Sequence, residues 1–308
     1  MNRWGEKRYH SLDYDLKQNY GEKVYKITLD GGMTCPNRDG KVGRGGCIFC
    51  SASGSGDFAG SRALSITEQI ARGKKELNGK RPVHSYIAYF QAFTNTYAPV
   101  ERLKKLYMEA IQDEEVKILS IATRPDCLGD DVLELLGAVN RIKPVWVELG
   151  LQTIHPATAA FIRRGYELPV FEKAVKDLRK LGITVIVHTI LFLPGETKAQ
   201  MLKTLDYLNH MDIQGIKLQL LHILKGTDLA EEYKKRPFLV PDMQEYIEFL
   251  GTCISRLNPQ ITIHRLTGDG PSDLLIAPLW TSQKRTVLNT LHRYLKEQDI
   301  WQGKEYHE

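Results

Sequence analysis

Three cysteines, Cys35, Cys47 and Cys50, carry the strongest chemical signal in the chain. Cys47 and Cys50 form a C-x2-C pair, and Cys35 stands eleven intervening residues upstream. Glycine, proline and polar residues fill the gap, so the stretch reads as a loop. Two thiols in C-x2-C can grip one metal centre together, and a third can fold back onto it. A structural zinc site wants a fourth Cys or His, and a cytosolic redox pair wants only two cysteines. Three thiolates with no evident fourth suggest a [4Fe–4S] cluster that leaves one iron open for a ligand. Zinc completed by His84 or His188 is an alternative, and so are three unrelated buried thiols. An odd total of five cysteines and the lack of a signal peptide disfavour a disulfide. Cys127 and Cys253 stand alone and read as core or surface thiols.

Such a loop needs a rigid frame. Residues 24–29 alternate as a strand does, and Asp30-Gly31-Gly32 ends it directly before the cysteine loop. The thiols would then sit at the C-terminal end of the first strand, the functional edge of parallel α/β folds. After Cys50 a run of small residues, 51–60, could approach a ligand closely. A helix is expected over 66–77. Further strands are expected at 85–90, 117–122, 145–151, 184–193 and 215–221, with helices at 100–112, 131–139, 170–181 and 198–209. Apolar residues in the helical stretches recur at three and four, as Leu103, Leu106, Tyr107 and Ala110 do. Six strand–helix units in series predict an α/β fold, a partial (β/α)6 TIM-type barrel with right-handed crossovers. A doubly wound open sheet is the alternative.

The expected organisation is an N-terminal extension over 1–23, a core barrel over 24–225 and an α-rich C-terminal extension over 226–308 packing on the core. The first twenty residues, polar and aromatic, would be a helical lid or an RNA-touching arm. In the last third, 229–235, 243–257 and 282–296 read as helices and 261–264 as a short strand. His264-Arg265-Leu266-Thr267-Gly268-Asp269-Gly270-Pro271 is a turn dense in functional side chains.

The composition, 42% hydrophobic and 26% charged, is that of a soluble globular protein. No apolar run approaches a membrane span, so no membrane partner is expected. The first ten residues lack an apolar signal core, which predicts a cytoplasmic protein. A formal net charge of +5 permits an anionic partner such as RNA without requiring one.

The cysteine triplet followed by six strand–helix units resembles the radical S-adenosylmethionine (SAM) enzymes. The spacing departs from the common C-x3-C-x2-C. It resembles the lengthened form of the Elongator catalytic-subunit-like branch, where Cys-Pro-Asn and Gly-Gly-Cys flank the insertion. Four strand-end segments strengthen the likeness. They are Tyr89-Phe90-Gln91-Ala92-Phe93-Thr94-Asn95-Thr96-Tyr97, Ala122-Thr123-Arg124-Pro125-Asp126, Glu148-Leu149-Gly150-Leu151-Gln152 and Leu191-Phe192-Leu193-Pro194-Gly195-Glu196-Thr197. Together they resemble bacterial radical SAM proteins of the YtqA/YhcC type, and the likeness covers nearly the whole chain.

The resemblance implies that Cys35, Cys47 and Cys50 bind three irons of a [4Fe–4S] cluster and that SAM takes the fourth. It implies SAM contacts from Gln91, Thr123, Glu148, Gln152, Arg164 and His188, with Arg164 on the SAM carboxylate and Leu191 lining the adenine. The Tyr89-Phe90-Gln91-Ala92 segment stands where the superfamily has a glycine-rich loop, and lacks its glycines. Lys225, His222, His264, Arg265 and Asp269 are placed near the substrate opening, with Arg265 or Lys225 anchoring a substrate carboxylate. The implied substrate is tRNA, whose wobble 5-carboxymethylaminomethyl-(2-thio)uridine becomes the 5-aminomethyl form. A reducing donor such as flavodoxin or ferredoxin and a downstream tRNA methyltransferase would be partners. Action on a small metabolite, or a metal-binding protein without catalysis, are the rival readings.

Overall fold

The computed structural model describes residues 4–54, 56–79, 84–268 and 270–307. Asp269 lies outside the described residues. The chain enters through helix α1 (Leu12–Tyr20) and then alternates strand and helix. The strands are β1 (Tyr25–Leu29), β2 (Tyr86–Phe90), β3 (Val116–Thr123), β4 (Val145–Gln152), β5 (Thr184–Leu191) and β6 (Gly215–Leu220). Between them lie α2 (Ile66–Asn78), α3 (Val100–Ile111), α4 (Asp130–Asn140), the short α5 (Pro156–Phe161) with α6 (Leu168–Lys180), and α7 (Lys198–Asn209). The remainder holds β7 (Ile223–Leu224), α8 (Asp228–Lys235), α9 (Met243–Arg256), β8 (Thr262–Arg265), β9 (Leu275–Ala277) and α10 (Lys284–Glu297).

Strands β1 to β6 pair in chain order, all parallel. The sheet curls into a half-barrel, as the strand–helix series predicts. A seventh strand extends it: β8 pairs in parallel with β6. The β6–β8 register slips by one residue, so Ile216 faces Ile263 and Lys217 faces Arg265. A slip of this kind re-aims side chains and recurs beside active sites. A separate antiparallel pair joins β7 to β9.

Alternation along the strands sorts side chains into two layers. One set, including Leu29, Phe90, Leu119, Val147, Val187 and Leu218, packs under the helices against Leu103, Leu136, Phe171 and Leu205. The other set lines the concave face. Near the strand starts this inner set is apolar: Ile87, Ile118, Trp146 and Ile186. They pack on Leu16 and Val24, with Leu12 and Tyr20 alongside. Helix α1 therefore plugs the half-barrel at its N-terminal end, away from the strand tips that carry the cysteine loop. Ser11 caps this helix, and Gly21, at φ 72°, ends it. The His10 carbonyl accepts from Ile263 N at 2.7 Å, and Gln302 Oε1 accepts from His10 N at 2.8 Å, which ties both ends of the chain to β8.

Helix starts follow local chemistry. Ser65 with Glu68, and Thr197 with Gln200, form reciprocal capping boxes. Thr197 is thus an N-cap. Turning of the chain here leaves the strand tips, and the loops that follow them, on one open edge.

Candidate active site

The segment after β1 folds over that edge. Its three thiols are held by backbone turns: Cys35 O accepts from Arg38 N at 2.8 Å, and Cys47 O from Cys50 N at 3.0 Å. The Asn37 amide donates to Cys47 Sγ at 3.5 Å and to the Arg163 carbonyl. A Cβ at Gly43 would strike the Asn37 side chain, and one at Gly46, where φ is 88°, would lie 2.9 Å from Arg38 Nε. Glycine is required at both turns. Arg38 clasps the far side through the Ser51 and Ala52 carbonyls.

Cys35, Cys47 and Cys50 line one wall of a cavity of about 250 Å³. Cys47 is lowered to about 7, first by a hydrogen bond from Cys50 and then by the Arg124 charge, the Asn37 amide and the Arg38 charge. Cys50 is pushed well above the usual thiol range, chiefly by that same shared proton and by burial. The wall can thus give up a thiolate near neutrality, the form that binds metal. Among the described residues no three Cys, His, Asp or Glu side chains close on a single point. The fit to an iron–sulfur cluster therefore rests on the donor set, three thiols on one wall, each able to take its own iron. Of the alternative fourth ligands, His84 is exposed beside Glu115 at the opposite edge of the sheet. His188 lines the cavity, with Nε2 bonded to Glu148 Oε2 at 2.7 Å.

The cavity is also lined by Gln91, Thr123, Gln152 and Arg164, the last close enough to Cys47 to feel its charge. Gln152 has φ 68°, and its buried Oε1 has no hydrogen-bond partner among the described residues. An orphaned buried acceptor on a cavity wall suits a ligand donor, as the amino group of SAM would supply. Thr123 Oγ1 bonds Thr96 Oγ1 at 2.5 Å. The Arg164 guanidinium donates to the carbonyls of Leu151 at 3.1 Å, Thr153 at 2.6 Å and Tyr166 at 3.0 Å, bracing the turn after β4. Arg124 beside it holds Asp126 and the Arg164 carbonyl.

The floor is charged. Glu148, 1% exposed, accepts at Oε1 from Lys26 Nζ (2.9 Å) and Ser120 Oγ (3.0 Å). At Oε2 it accepts from His188 Nε2 (2.7 Å) and Lys217 Nζ. Lys217 Nζ also donates to Tyr89 Oη at 3.3 Å, and both lysines lie over the Tyr89 ring. Burial raises the Glu148 carboxyl, but the Lys217 and Lys26 charges outweigh it and hold it well below the carboxylate range. Burial lowers Lys217 to about 7 and His188 to about 4.

Of the remaining expected residues, Arg265 lines this cavity and His222 lies at its edge under Gly268 and Gly270. His264 is half-buried behind the floor, 5.3 Å from the Trp146 ring. Lys225 binds the Asp273 carbonyl at 2.8 Å, outside the cavity lining. Leu191 joins the core under the helices and also lies outside that lining. Cys127 is half-buried and Cys253 fully buried in α9. Sequence reasoning did not single out Lys26, Lys217 or Tyr166. The available signal was a lysine in each of two apolar strands, Tyr25–Leu29 and Gly215–Leu220.

A parallel half-barrel with a cysteine triplet at its first strand tip defines a class, and comparison with known proteins gives the same class. The Radical SAM superfamily model matches residues 38–208, and the Radical_SAM C-terminal domain model matches 213–297. The chain belongs to the radical SAM superfamily. Members of this superfamily bind a [4Fe–4S] cluster and S-adenosylmethionine, and the chain is a radical SAM enzyme by that membership. It is 44% identical to protein YtqA of Bacillus subtilis, covering 97% of this chain and 93% of that protein. It is 38% identical to protein YhcC of Escherichia coli, over 93% and 92%. A tRNA uridine(34) acetyltransferase of Methanocaldococcus jannaschii is 24% identical, over 59% of this chain and 33% of that protein. Among solved structures, Elp3 of Methanocaldococcus infernus superposes with a TM-score of 0.68 at 15% identity. That match covers 91% of this chain and 64% of Elp3, and it speaks for the fold. No helix among the described residues is long and apolar enough to cross a membrane.

Proposed function

We propose that this chain modifies the wobble uridine of tRNA, converting 5-carboxymethylaminomethyl-(2-thio)uridine to the 5-aminomethyl form; the carboxymethyl carbon, giving a hydrogen atom to the radical and an electron back to the cluster, would be split off by water as glyoxylate. One observation carries the reading: the thiol wall and the charged floor share a single cavity large enough for a small reacting group. With cluster and SAM bound, the site supplies a 5′-deoxyadenosyl radical that takes hydrogen from carbon. The chain's own part is positional. Cys35, Cys47 and Cys50 hold the cluster at the rim, and Gln152 meets the SAM amino group. The floor around Glu148 and Lys217 stays rigid and receives the substituent of the base. Holding the reacting carbon close and dry is worth several orders of magnitude in such reactions.

The likeness to a tRNA uridine(34) acetyltransferase supports tRNA, and a net charge of +5 suits a polyanion. A reducing partner such as flavodoxin or ferredoxin, and a methyltransferase acting on the aminomethyl product, complete the proposal. The test is anaerobic turnover of carboxymethylaminomethyl tRNA with SAM and reductant, followed by digestion and mass analysis of nucleosides. An aminomethyl nucleoside, absent with Cys47→Ala, is expected. Deoxyadenosine release without any nucleoside change would move the substrate to a small metabolite.

A further inference from the structure

The run after Cys50, residues 51–60, holds one large apolar side chain, Phe58. The loop is fastened on both sides of it. Gly54 O accepts from Phe93 N at 3.0 Å, and a Cβ at Gly54 would strike the Phe93 ring. A Cβ at Gly56 would lie 2.6 Å from Ala92 Cβ, and one at Gly60 would strike Gln69 Oε1. The glycines therefore let the loop press onto the segment after β2 and onto α2. Asp57 accepts from Ser51 Oγ at 3.0 Å, the Phe58 carbonyl from Thr28 Oγ1 at 2.5 Å, and the Thr28 carbonyl from Gly60 N at 3.0 Å. A segment tied down at Asp57, Phe58 and Gly60 has a sheet edge at hand on which to bury its ring. Instead the ring is 53% exposed, and it lines the cavity that holds the three thiols. Phe49 and Phe93 line the same cavity and are half-buried. Phe58 is thus left uncovered at the mouth, on a backbone that does not let it retreat.

The chain around it is cationic. Between Cys35 and Leu64 stand Arg38, Lys41, Arg44 and Arg62 against Asp39 and Asp57, and Lys41, Arg44 and Arg62 are exposed. A flat apolar ring beside exposed cations is the pairing that holds single-stranded nucleic acid, ring against base and cation against phosphate. The reacting base lies deeper, between the thiols and the charged floor, so a ring at the mouth is left for its neighbour. We propose that Phe58 is a stacking platform for one of the two bases that flank the wobble uridine. The proposal rests on the tRNA reading above and adds a residue that holds the loop of the RNA while the wobble base enters the cavity. Phe58 is a binding residue in this account and takes no part in the radical chemistry. The adenine of SAM is a second planar group of the same chemistry, and the experiment separates the two sources.

Cluster-loaded protein with SAM and no reductant is titrated with anticodon stem–loops carrying the carboxymethylaminomethyl wobble uridine, either intact or abasic at one flanking position. Wild type should bind one of the two abasic stem–loops about tenfold more weakly than the intact one, the worth of one stacked base. Phe58→Ala should bind the intact stem–loop about tenfold more weakly than wild type does, and should lose nothing further at that abasic position. Phe58→Trp should keep the wild-type affinities, and SAM affinity should be the same in all three proteins. Losses that multiply overturn the platform, and so does a Phe58→Ala protein that binds the intact stem–loop as wild type does. A loss of SAM affinity in Phe58→Ala with stem–loop binding intact also overturns it and gives the ring to adenine. Single-stranded oligoadenylate separates this from failure of the tRNA reading. If wild type binds no stem–loop, but oligoadenylate quenches the added emission of Phe58→Trp and binds Phe58→Ala about tenfold more weakly than wild type, the platform stands and tRNA falls. If oligoadenylate then gives no quenching, or binds Phe58→Ala and wild type alike, the platform falls too.

Discussion

Glu148 and Lys217 pair across an intervening strand, 69 residues apart in sequence, on the concave face of the half-barrel. Strand β5 runs between them and contributes His188 to the same carboxylate. The pair joins β4 to β6 and fixes the depth of the cavity. Substitution of Glu148 by Gln should therefore cost about 3–5 kcal/mol, because the buried Lys217 and the half-buried Lys26 lose their counter-charge. Urea denaturation checks this, and the double variant Glu148→Gln with Lys217→Met should recover part of the loss. No recovery would mean that the pair is not coupled in this way.

Stability should fall with acid because of His188. Its folded value is about 4, lowered by burial first and then by Lys217, against Glu148. Arg265, Lys26, Tyr89 and His264 complete the surrounding groups. An unfolded histidine titrates near 6.5, so below that pH the unfolded chain takes a proton that the folded chain refuses. The contribution is whole above about 6.5 and is lost as pH falls to about 4, at up to about 1.4 kcal/mol per unit. Denaturant midpoints between pH 4 and 7 should show a shallower slope for His188→Gln than for wild type. Equal slopes would remove His188 from this role.

Cluster assembly should depend on three cysteines and not five. Replacing Cys35, Cys47 or Cys50 with Ala should reduce bound iron from about four per chain to under about one after anaerobic reconstitution. Cys127→Ala and Cys253→Ala should keep it. Iron and labile-sulfide analysis gives the answer, and full iron in a Cys47→Ala protein would place the cluster elsewhere.

The plug at the closed end makes a separate prediction. Leu16 is 3% exposed among Ile87, Ile118, Trp146 and Ile186. Leu16→Ala should cost about 2–4 kcal/mol in unfolding free energy. Iron content should not change, since α1 lies away from the thiols. Equal loss of iron would show that the two ends are coupled.

How far the sequence could be read differs from residue to residue. The cysteine loop was legible because thiols, glycines and spacing are local properties. The first six strands were legible because runs such as Val145–Gln152 are buried on both faces and bounded by helical periodicity. Glu148 stood out as a carboxylate in such a run. Lys26 and Lys217 did not, because a lysine alternating with Ile or Leu reads as a solvent face until the sheet curls and closes that face. The meeting of Arg265 with Lys217, 48 residues apart, depends on a one-residue slip between two strands, which no local pattern encodes. Helix α1 was foreseen as a lid or an arm, yet it packs at the closed end. Its apolar residues, Leu12, Leu16 and Tyr20, give spacing without saying which end they cover.

The central claim is that the reacting carbon of a tRNA base enters the cavity between the thiol wall and the charged floor. Deuterium on the carboxymethyl carbon of the wobble uridine tests it directly. Labelled tRNA, SAM and reductant are incubated with cluster-loaded protein, and the 5′-deoxyadenosine is recovered and weighed. The account predicts deuterium in that product, and none with Cys47→Ala, which should release no deoxyadenosine. Deoxyadenosine formed in quantity without deuterium would contradict it and place another carbon, or another substrate, at the site.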